Sequence, residues 1–116
     1  MQRLRSHLVG VDHGDLMLFS DFEDGGEMWT GMGPRQRRRR VAFEEPFRVP
    51  PVVHLTISLW DVDTSSAVRA DVTTQAVTED GFDVVFKTWG DTKVARCRIN
   101  WLAVGELPDD DQWDLE

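Results

Sequence analysis

The stretch FDVVFKTWGDTKVARCRINW, residues 82–101, predicts the centre of the fold. Apolar and polar residues alternate on both sides of Gly90 and Asp91, the pattern of two half-buried strands joined by a tight type II′ turn. Such a turn predicts pairs of Phe86 with Ala95, Val84 with Cys97, Phe82 with Ile99 and Val85 with Arg96. Asp83 then lies across from Arg98 on the polar face. A shift of one residue would move the charges into the apolar layer, so pattern and turn favour the same register.

Two further stretches, residues 52–60 and 68–76, alternate in the same way. The first predicts an outward face that includes His54 and Trp60, and an exposed tryptophan is typical of a partner surface unless a loop covers it. No amphipathic helix of ordinary length is visible, and glycines and prolines separate the strands. The sequence therefore predicts an all-β sandwich or barrel.

Arg69 and Trp89 are expected to meet at one end of this sheet. Pairing Ala76 with Phe82 keeps the apolar faces of two successive strands together, and the same register sets Arg69 opposite Trp89. Stacking of the guanidinium on the indole would contribute about 0.5–1 kcal/mol and leave N–H donors for vicinal hydroxyls or a carboxylate. The indole face would suit the C–H side of a pyranose. The alternative is that the pair only covers a sheet edge.

The first 34 residues contain short apolar pieces at 8–11 and 16–19, followed by a loop rich in glycine and acids. We expect little regular structure in that loop and interpret Trp29 as the side chain that fastens it to the body. Several aspartates and a histidine in this region could together form a calcium site, since calcium takes several oxygen ligands, although no EF-hand spacing is present. They are Asp12, His13, Asp15, Asp21 and Asp24. Turn carboxylates more often cap local N–H groups, so we expect no metal.

The run RQRRRR, residues 35–40, leaves three interpretations open. It could bind phosphate or an acidic polysaccharide, pair with acids of a neighbouring subunit such as residues 109–111, or form a solvated strip. The net charge of −8 and the lack of a nucleic-acid motif make subunit contacts the favoured interpretation and nucleic acid the least favoured.

The remaining composition narrows the class of protein. A chain of 116 residues is expected to form one domain, and its one cysteine, Cys97, cannot form an internal disulfide. Neither a signal-peptide run nor the roughly 20 apolar residues of a membrane span is visible, so we expect no membrane insertion. The location stays open between cytoplasmic, released and particle-associated. The histidines match no catalytic triad or metal motif, and we expect neither an enzyme nor a cofactor.

The segments VAFEEPFRVPP, PPVVHLTISLWDVD, VTEDGF and TWGDTKVARCRINWLAVG resemble the H-type lectin domain in order and spacing over residues 41–105. The resemblance implies a six-stranded antiparallel sandwich that assembles as a trimer, sometimes stacked into hexamers. Sugar sites for galactose- or N-acetylgalactosamine-type glycans would lie at the subunit boundaries. Residues 1–40 would supply strand pieces and a long loop of the same domain, and residues 106–116 an acidic tail.

The resemblance also implies the site residues. Arg69 and Trp89 match the family's sugar-contacting arginine and tryptophan, and Gly90 stands where a member has histidine. Met32 falls near an aspartate that the family supplies from a neighbouring protomer, a role that Asp24 or Glu27 could take over in a reshaped loop. The implied function is an oligomeric lectin module in cell-surface recognition or adhesion. The alternative is a structural trimerisation module of a larger, phage-like assembly with a decayed sugar site.

Overall fold

In the described part of the chain, six strands form two three-stranded antiparallel sheets around one core, with strand orders β1-β6-β3 and β2-β5-β4. The structure is a computed structural model that describes residues 1–108. The elements are β1 (Val9–Phe19), α1 (Asp21–Asp24), α2 (Glu27–Thr30), β2 (Arg35–Ala42), β3 (Val52–Val62), β4 (Asp71–Gln75), β5 (Gly81–Thr88) and β6 (Val94–Glu106). The six-stranded antiparallel sandwich expected from the sequence is confirmed.

The core lies between the two central strands, β5 and β6. Its buried members on these strands are Phe82, Val84, Phe86, Val94, Cys97, Ile99, Trp101 and Ala103. The rings of Phe82 and Trp101 meet edge to face at 5.4 Å between centroids, so the two sheets contact directly. Burial raises the pKa of the Cys97 thiol to about 11, which keeps it protonated as the inert core residue that the sequence predicts.

The predicted hairpin between residues 82–89 and 92–101 is wrong, because the two strands belong to different sheets. Phe82 pairs with Val41 on β2 rather than with Ile99, and Ile99 pairs with Ile57 on β3. Alternation shows which residues face the core, and two central strands that face each other across a sandwich have the same pattern as a hairpin. Gly90 does have the positive φ expected of it, +70°, but the turn carries the chain from one sheet to the other.

The register predicted between residues 68–76 and 82–89 is confirmed. Val72 pairs with Phe86 and Gln75 with Asp83, which is the register that sets Ala76 against Phe82. Because β4 begins only at Asp71, Arg69 lies two residues before the strand, in the segment that approaches the tip of β5.

The prediction that Trp60 faces outward is wrong, because β3 contains a bulge. Leu55 pairs with Trp101 before the bulge, whereas Trp60 pairs with Cys97 after it. One extra residue inverts the direction of every later side chain, so Trp60 points into the sandwich and its ring lies 5.9 Å from that of Phe86. His54 lies before the bulge and is exposed, as expected.

The first third of the chain is more regular than its composition predicts. β1 continues through the polar residues 12–15, because Gly14 makes room for Trp101: a Cβ there would lie 2.9 Å from the indole nitrogen. The following loop contains two one-turn helices, and Met28 is the fully buried side chain that fastens it. Trp29, expected in that role, is half-buried and packs edge to face on the exposed Phe22.

The arginine run forms the edge strand β2, and most of its side chains bind within the chain. Arg37 makes a 2.9 Å ion pair with the buried Asp21 and lies over the Phe19 ring. Arg38 and Arg40 both pair with Asp83, at 2.7 and 3.3 Å. The side chains of Arg38 and Arg40 remain 44% and 45% exposed, so the segment is a partly solvated strip whose charges are paired within the chain. The predicted partners at residues 109–111 lie outside the described residues.

Candidate functional site

Two buried threonines hold the segment before β4 against the tip that follows β5. The Thr88 hydroxyl donates to the carbonyl of Arg69 at 2.5 Å, and the Arg69 amide donates to Thr92 Oγ1 at 3.1 Å. The Thr92 hydroxyl in turn donates to the carbonyl of Ala67 at 2.6 Å. Buried polar groups satisfied in this way fix the backbone, so Arg69 is brought to the tip of Trp89 as its register predicts.

The guanidinium of Arg69 lies over Gly90 and reaches Asp91. Its Nη1 is 3.8 Å from Asp91 Oδ1, and both side chains are about half-exposed. A Cβ on Gly90 would come within 3.1 Å of the same nitrogen, so the missing side chain is what leaves space for the guanidinium. The expected stacking of Arg69 on Trp89 is replaced by this ion pair. Among residues 1–108, the arginine–aromatic stacking that the structure shows is Arg37 over Phe19.

Trp89 itself is 44% exposed at the tip. Its indole is therefore available to a ligand, while its neighbours Thr88 and Thr92 are buried. The tip thus carries an exposed indole, a cation and a carboxylate on neighbouring residues, which offer stacking, hydrogen-bond donors and hydrogen-bond acceptors. The sequence did not identify Asp91 as a site residue, because the pair Gly90-Asp91 is equally typical of an ordinary turn.

The loop that contains Met32 is fastened to the same tip, in the same chain. The Gly33 amide donates to the Gly90 carbonyl at 2.8 Å, and Arg35 Nη2 donates to that carbonyl at 3.3 Å. Met32 directly precedes this contact and is 73% exposed. Asp24 and Glu27, considered as substitutes, are exposed on α1 and α2, and within residues 1–108 neither carboxylate contacts Arg69.

An open cleft of about 340 Å³ borders Trp89 on the side of β2. Its lining consists of Pro34, Arg35, Gln36, Lys87, Thr88 and Trp89. Gln36 pairs directly with Lys87, and both face outward. The sequence offered a weak signal for this cleft, because Gln36 is the one residue that interrupts the arginine run.

The two outer faces of the sandwich differ in chemistry. On the β2-β5-β4 sheet the outward side chains include the ion-paired Arg38, Asp83 and Arg40. On the β1-β6-β3 sheet, Val11, Val104 and Val52 form one row across the three strands. In the next row Leu102 lies between His13 and His54. This second surface, the valine–leucine face, exposes the apolar side chains of Val11, Val52 and Leu102 beside two histidines.

The described residues contain no group of three or more histidine, cysteine, aspartate or glutamate side chains placed to hold a metal ion. In that same part of the chain, no helix has the length and hydropathy needed to cross a bilayer.

Comparisons with known proteins agree with this architecture. A family model of the H-type lectin domain matches residues 38–104. An open reading frame, ORF 7 of the ATP synthase subunits region of Fuscovulum blasticum, is 51% identical over 108 residues, which cover 93% of this chain and 94% of that protein. A discoidin-1 polypeptide of Dictyostelium discoideum is 35% identical over 75 residues, covering 64% of this chain and 30% of that protein.

A solved structure of discoidin II from the same organism superposes with a TM-score of 0.74 at 25% identity. The alignment covers 90% of this chain and 39% of discoidin II, so this chain spans about a third of the length of the discoidins that it matches. The family match covers more than half of the chain and agrees with the fold and with the resemblance of the motifs. The chain belongs to the H-type lectin domain family.

Proposed function

We propose that this chain is a carbohydrate-binding module that acts by binding and not by catalysis. Its site is the tip formed by Arg69, Trp89, Gly90 and Asp91, with Met32 at the border. The observation that carries the proposal is the ion pair between Arg69 and Asp91 at 3.8 Å, next to an exposed indole. Membership of a lectin family supports the same assignment.

The chemistry of the tip fits a sugar of the galactose or N-acetylgalactosamine type. The indole of Trp89 packs on the C–H face of the ring, and the guanidinium of Arg69 donates to two neighbouring hydroxyls. The carboxylate of Asp91 accepts from a third hydroxyl. Met32 does not supply this acceptor, because its thioether is only a weak one. The acceptor that relatives are expected to take from a neighbouring protomer is thereby supplied within the chain. The biological role that we assign is recognition or adhesion at a glycan-covered surface.

A single shallow sugar site of this kind is weak, so we propose that the protein works as a homotrimer, or as a hexamer of two stacked trimers. The valine–leucine face supports this proposal, since Val11, Val52 and Leu102 leave apolar surface exposed in the isolated chain. Three sites on one rigid body increase avidity for a dense glycan surface by about 10²–10⁴ over a single site.

Titration with galactose and N-acetylgalactosamine tests the site. We expect Arg69→Ala and Trp89→Ala to lower the affinity at least about tenfold, the loss typical of a charge-assisted hydrogen bond or of ring stacking. Lys93→Ala is the matched control, because its side chain is exposed in the same turn and belongs to neither the tip nor the cleft. If both site variants bind like the parent, the assignment is wrong.

The valine–leucine face also favours a second candidate function, a structural trimerisation module of a larger, phage-like assembly. In that case the exposed apolar strands are the functional feature and the tip binds nothing. A stable trimer in sedimentation together with no ligand in a broad glycan screen supports this second function. A monomer at micromolar concentration contradicts both.

A further inference from the structure

The cleft beside Trp89 is a second surface, separate from the ion pair of Arg69 and Asp91. Trp89 follows β5, the central strand of its sheet, so β4 lies on one side of it and β2 on the other. Arg69 approaches from the β4 side, whereas Pro34 and Gln36 border the β2 side. A ligand bound at the Arg69 side and extended by one unit across the indole therefore enters the cleft. The volume of about 340 Å³ is within the range of about 300–1,000 Å³ found for small-molecule sites.

The charge of this cleft is opposite to that of the chain. The net charge of the protein is −8, but the lining residues within 1–108 include Lys87 and Arg35 and no carboxylate. Arg35 forms the buried floor, where its N–H groups donate to the carbonyls of Glu27, Gly33 and Gly90. No ion pair among the described residues neutralises its positive charge, which therefore remains at the floor of the cleft.

The polar groups at the mouth of the cleft have no partner within residues 1–108. Gln36 and Lys87 stand opposite each other in the register of β2 and β5. Among residues 1–108, neither the ammonium of Lys87 nor the side-chain amide of Gln36 makes a hydrogen bond or an ion pair. Asp71 stands opposite Lys87 on β4, and no ion pair joins the two. Arg38, one row further along the sheet, is already occupied by Asp83 and Gln75. Lys87 and Gln36 are therefore the available donors.

We propose that this cleft binds an anionic substituent, a carboxylate or a sulfate ester, on the second unit of a glycan. The first unit occupies the tip at Arg69, Trp89 and Asp91, so the inference rests on the proposed function. Lys87 provides the charge and Gln36 an amide donor that orients the anion. Pro34 and the edge of the indole cover the apolar side of the second ring. The ligand class is thus an acidic oligosaccharide rather than a neutral monosaccharide.

Titration with a neutral disaccharide, its uronate counterpart and its sulfated counterpart tests this proposal. At low salt we expect the parent to bind both acidic forms about five- to tenfold more tightly than the neutral form, the effect of one charge-assisted hydrogen bond at an exposed site. Lys87→Gln abolishes this preference, because it lowers the affinity for the acidic forms to that for the neutral form. Higher salt reduces the preference in the parent. A preference for only one acidic form identifies the anion and supports the proposal.

The matched control is Lys93→Gln, which removes an equal charge from the turn outside the cleft and keeps the preference for the acidic forms. Thermal melting verifies that the Lys87 variant is folded, as expected for an exposed side chain. Equal affinity of the parent for neutral and acidic forms, or a preference that survives Lys87→Gln, overturns the cleft proposal alone. Absence of binding to every disaccharide overturns the proposed function as well.

Discussion

The guanidinium of Arg69 lies 3.8 Å from the carboxylate of Asp91, across the side-chain-free Gly90. The two residues lie far apart in the sequence and meet because Thr88 and Thr92 anchor the backbone before β4. A cation, an acceptor and the exposed indole of Trp89 therefore occur on neighbouring residues at one tip of the chain.

Asp91→Ala is expected to weaken sugar binding about tenfold, because a hydroxyl of the ligand loses its charged acceptor. The stability of the fold is expected to change by less than about 1 kcal/mol, since the ion pair is exposed to solvent. Sugar titration and chemical denaturation measure the two effects. Asp80→Ala, in the turn before β5, is the control. A parent-like affinity for the Asp91 variant would remove that residue from the site.

Gly90→Ala is expected to affect both stability and binding. The residue has a φ of +70°, which costs a side chain about 1 kcal/mol, and the new Cβ would lie 3.1 Å from Arg69 Nη1. Gly25→Ala is a matched control, because Gly25 has a φ of +66° with nothing within 4 Å of its Cβ position. We expect similar losses of stability in the two variants and a loss of affinity only at Gly90. Parent-like binding by the Gly90 variant would show that the guanidinium position is not needed.

Leu102→Asp is expected to dissociate the oligomer, because it places a charge at the centre of the valine–leucine face. Val68→Asp introduces the same change at a similarly exposed residue outside that face and should leave the assembly intact. Sedimentation velocity measures the mass of each variant. Agglutination should be lost with the trimer, while the affinity of each site for free sugar persists. An intact trimer of the Leu102 variant would place the interface elsewhere.

The contribution of Glu106 to the free energy of unfolding is expected to decrease at acid pH. N–H groups of Arg5 and Ser6 donate to its carboxylate and hold its pKa below the ordinary value of 4.5. Since the folded pKa is the lower one, the stabilisation is present above about pH 4.5 and is lost as the pH falls through the folded pKa. Glu106→Gln should therefore be less stable than the parent at pH 7, with a difference that shrinks on acidification.

Denaturation curves from pH 7 to about pH 3 measure this dependence on both sides of the ordinary glutamate pKa. Glu79→Gln removes an exposed carboxylate from the turn before β5 and serves as the control, with no expected pH-dependent difference. A constant gap between the Glu106 variant and the parent across this range would contradict the assignment of the pKa shift to these backbone contacts.

The sequence predicted the β4–β5 register, because strand alternation and a short loop both restrict the pairing of Val72 with Phe86. It did not predict the sheet partners of β5 and β6, since alternation identifies the inward face but not the neighbour. The bulge in β3 was equally hidden, because one extra residue at Ser58 leaves no compositional mark. Local patterns thus indicate faces where no bulge interrupts the strand, whereas long-range packing selects partners.

The same distinction between local pattern and long-range packing applies to the candidate site. The approach of Arg69 to Trp89 could be predicted from register, but the direction of the guanidinium could not. The guanidinium points toward Asp91, one residue beyond Gly90. An aspartate after a glycine is equally typical of an ordinary turn. The cleft of Gln36 and Lys87 was not predictable because it depends on the β2–β5 pairing, which joins two distant segments.

The most direct test of the central claim is a titration of the isotope-labelled protein with N-acetylgalactosamine, followed by amide and indole N–H chemical shifts. We expect saturable shifts at the Trp89 indole and at the amides of Arg69, Gly90 and Asp91, with little change on the valine–leucine face. Shifts confined to residues away from this tip, or no saturable shift with any glycan tested, would contradict the account.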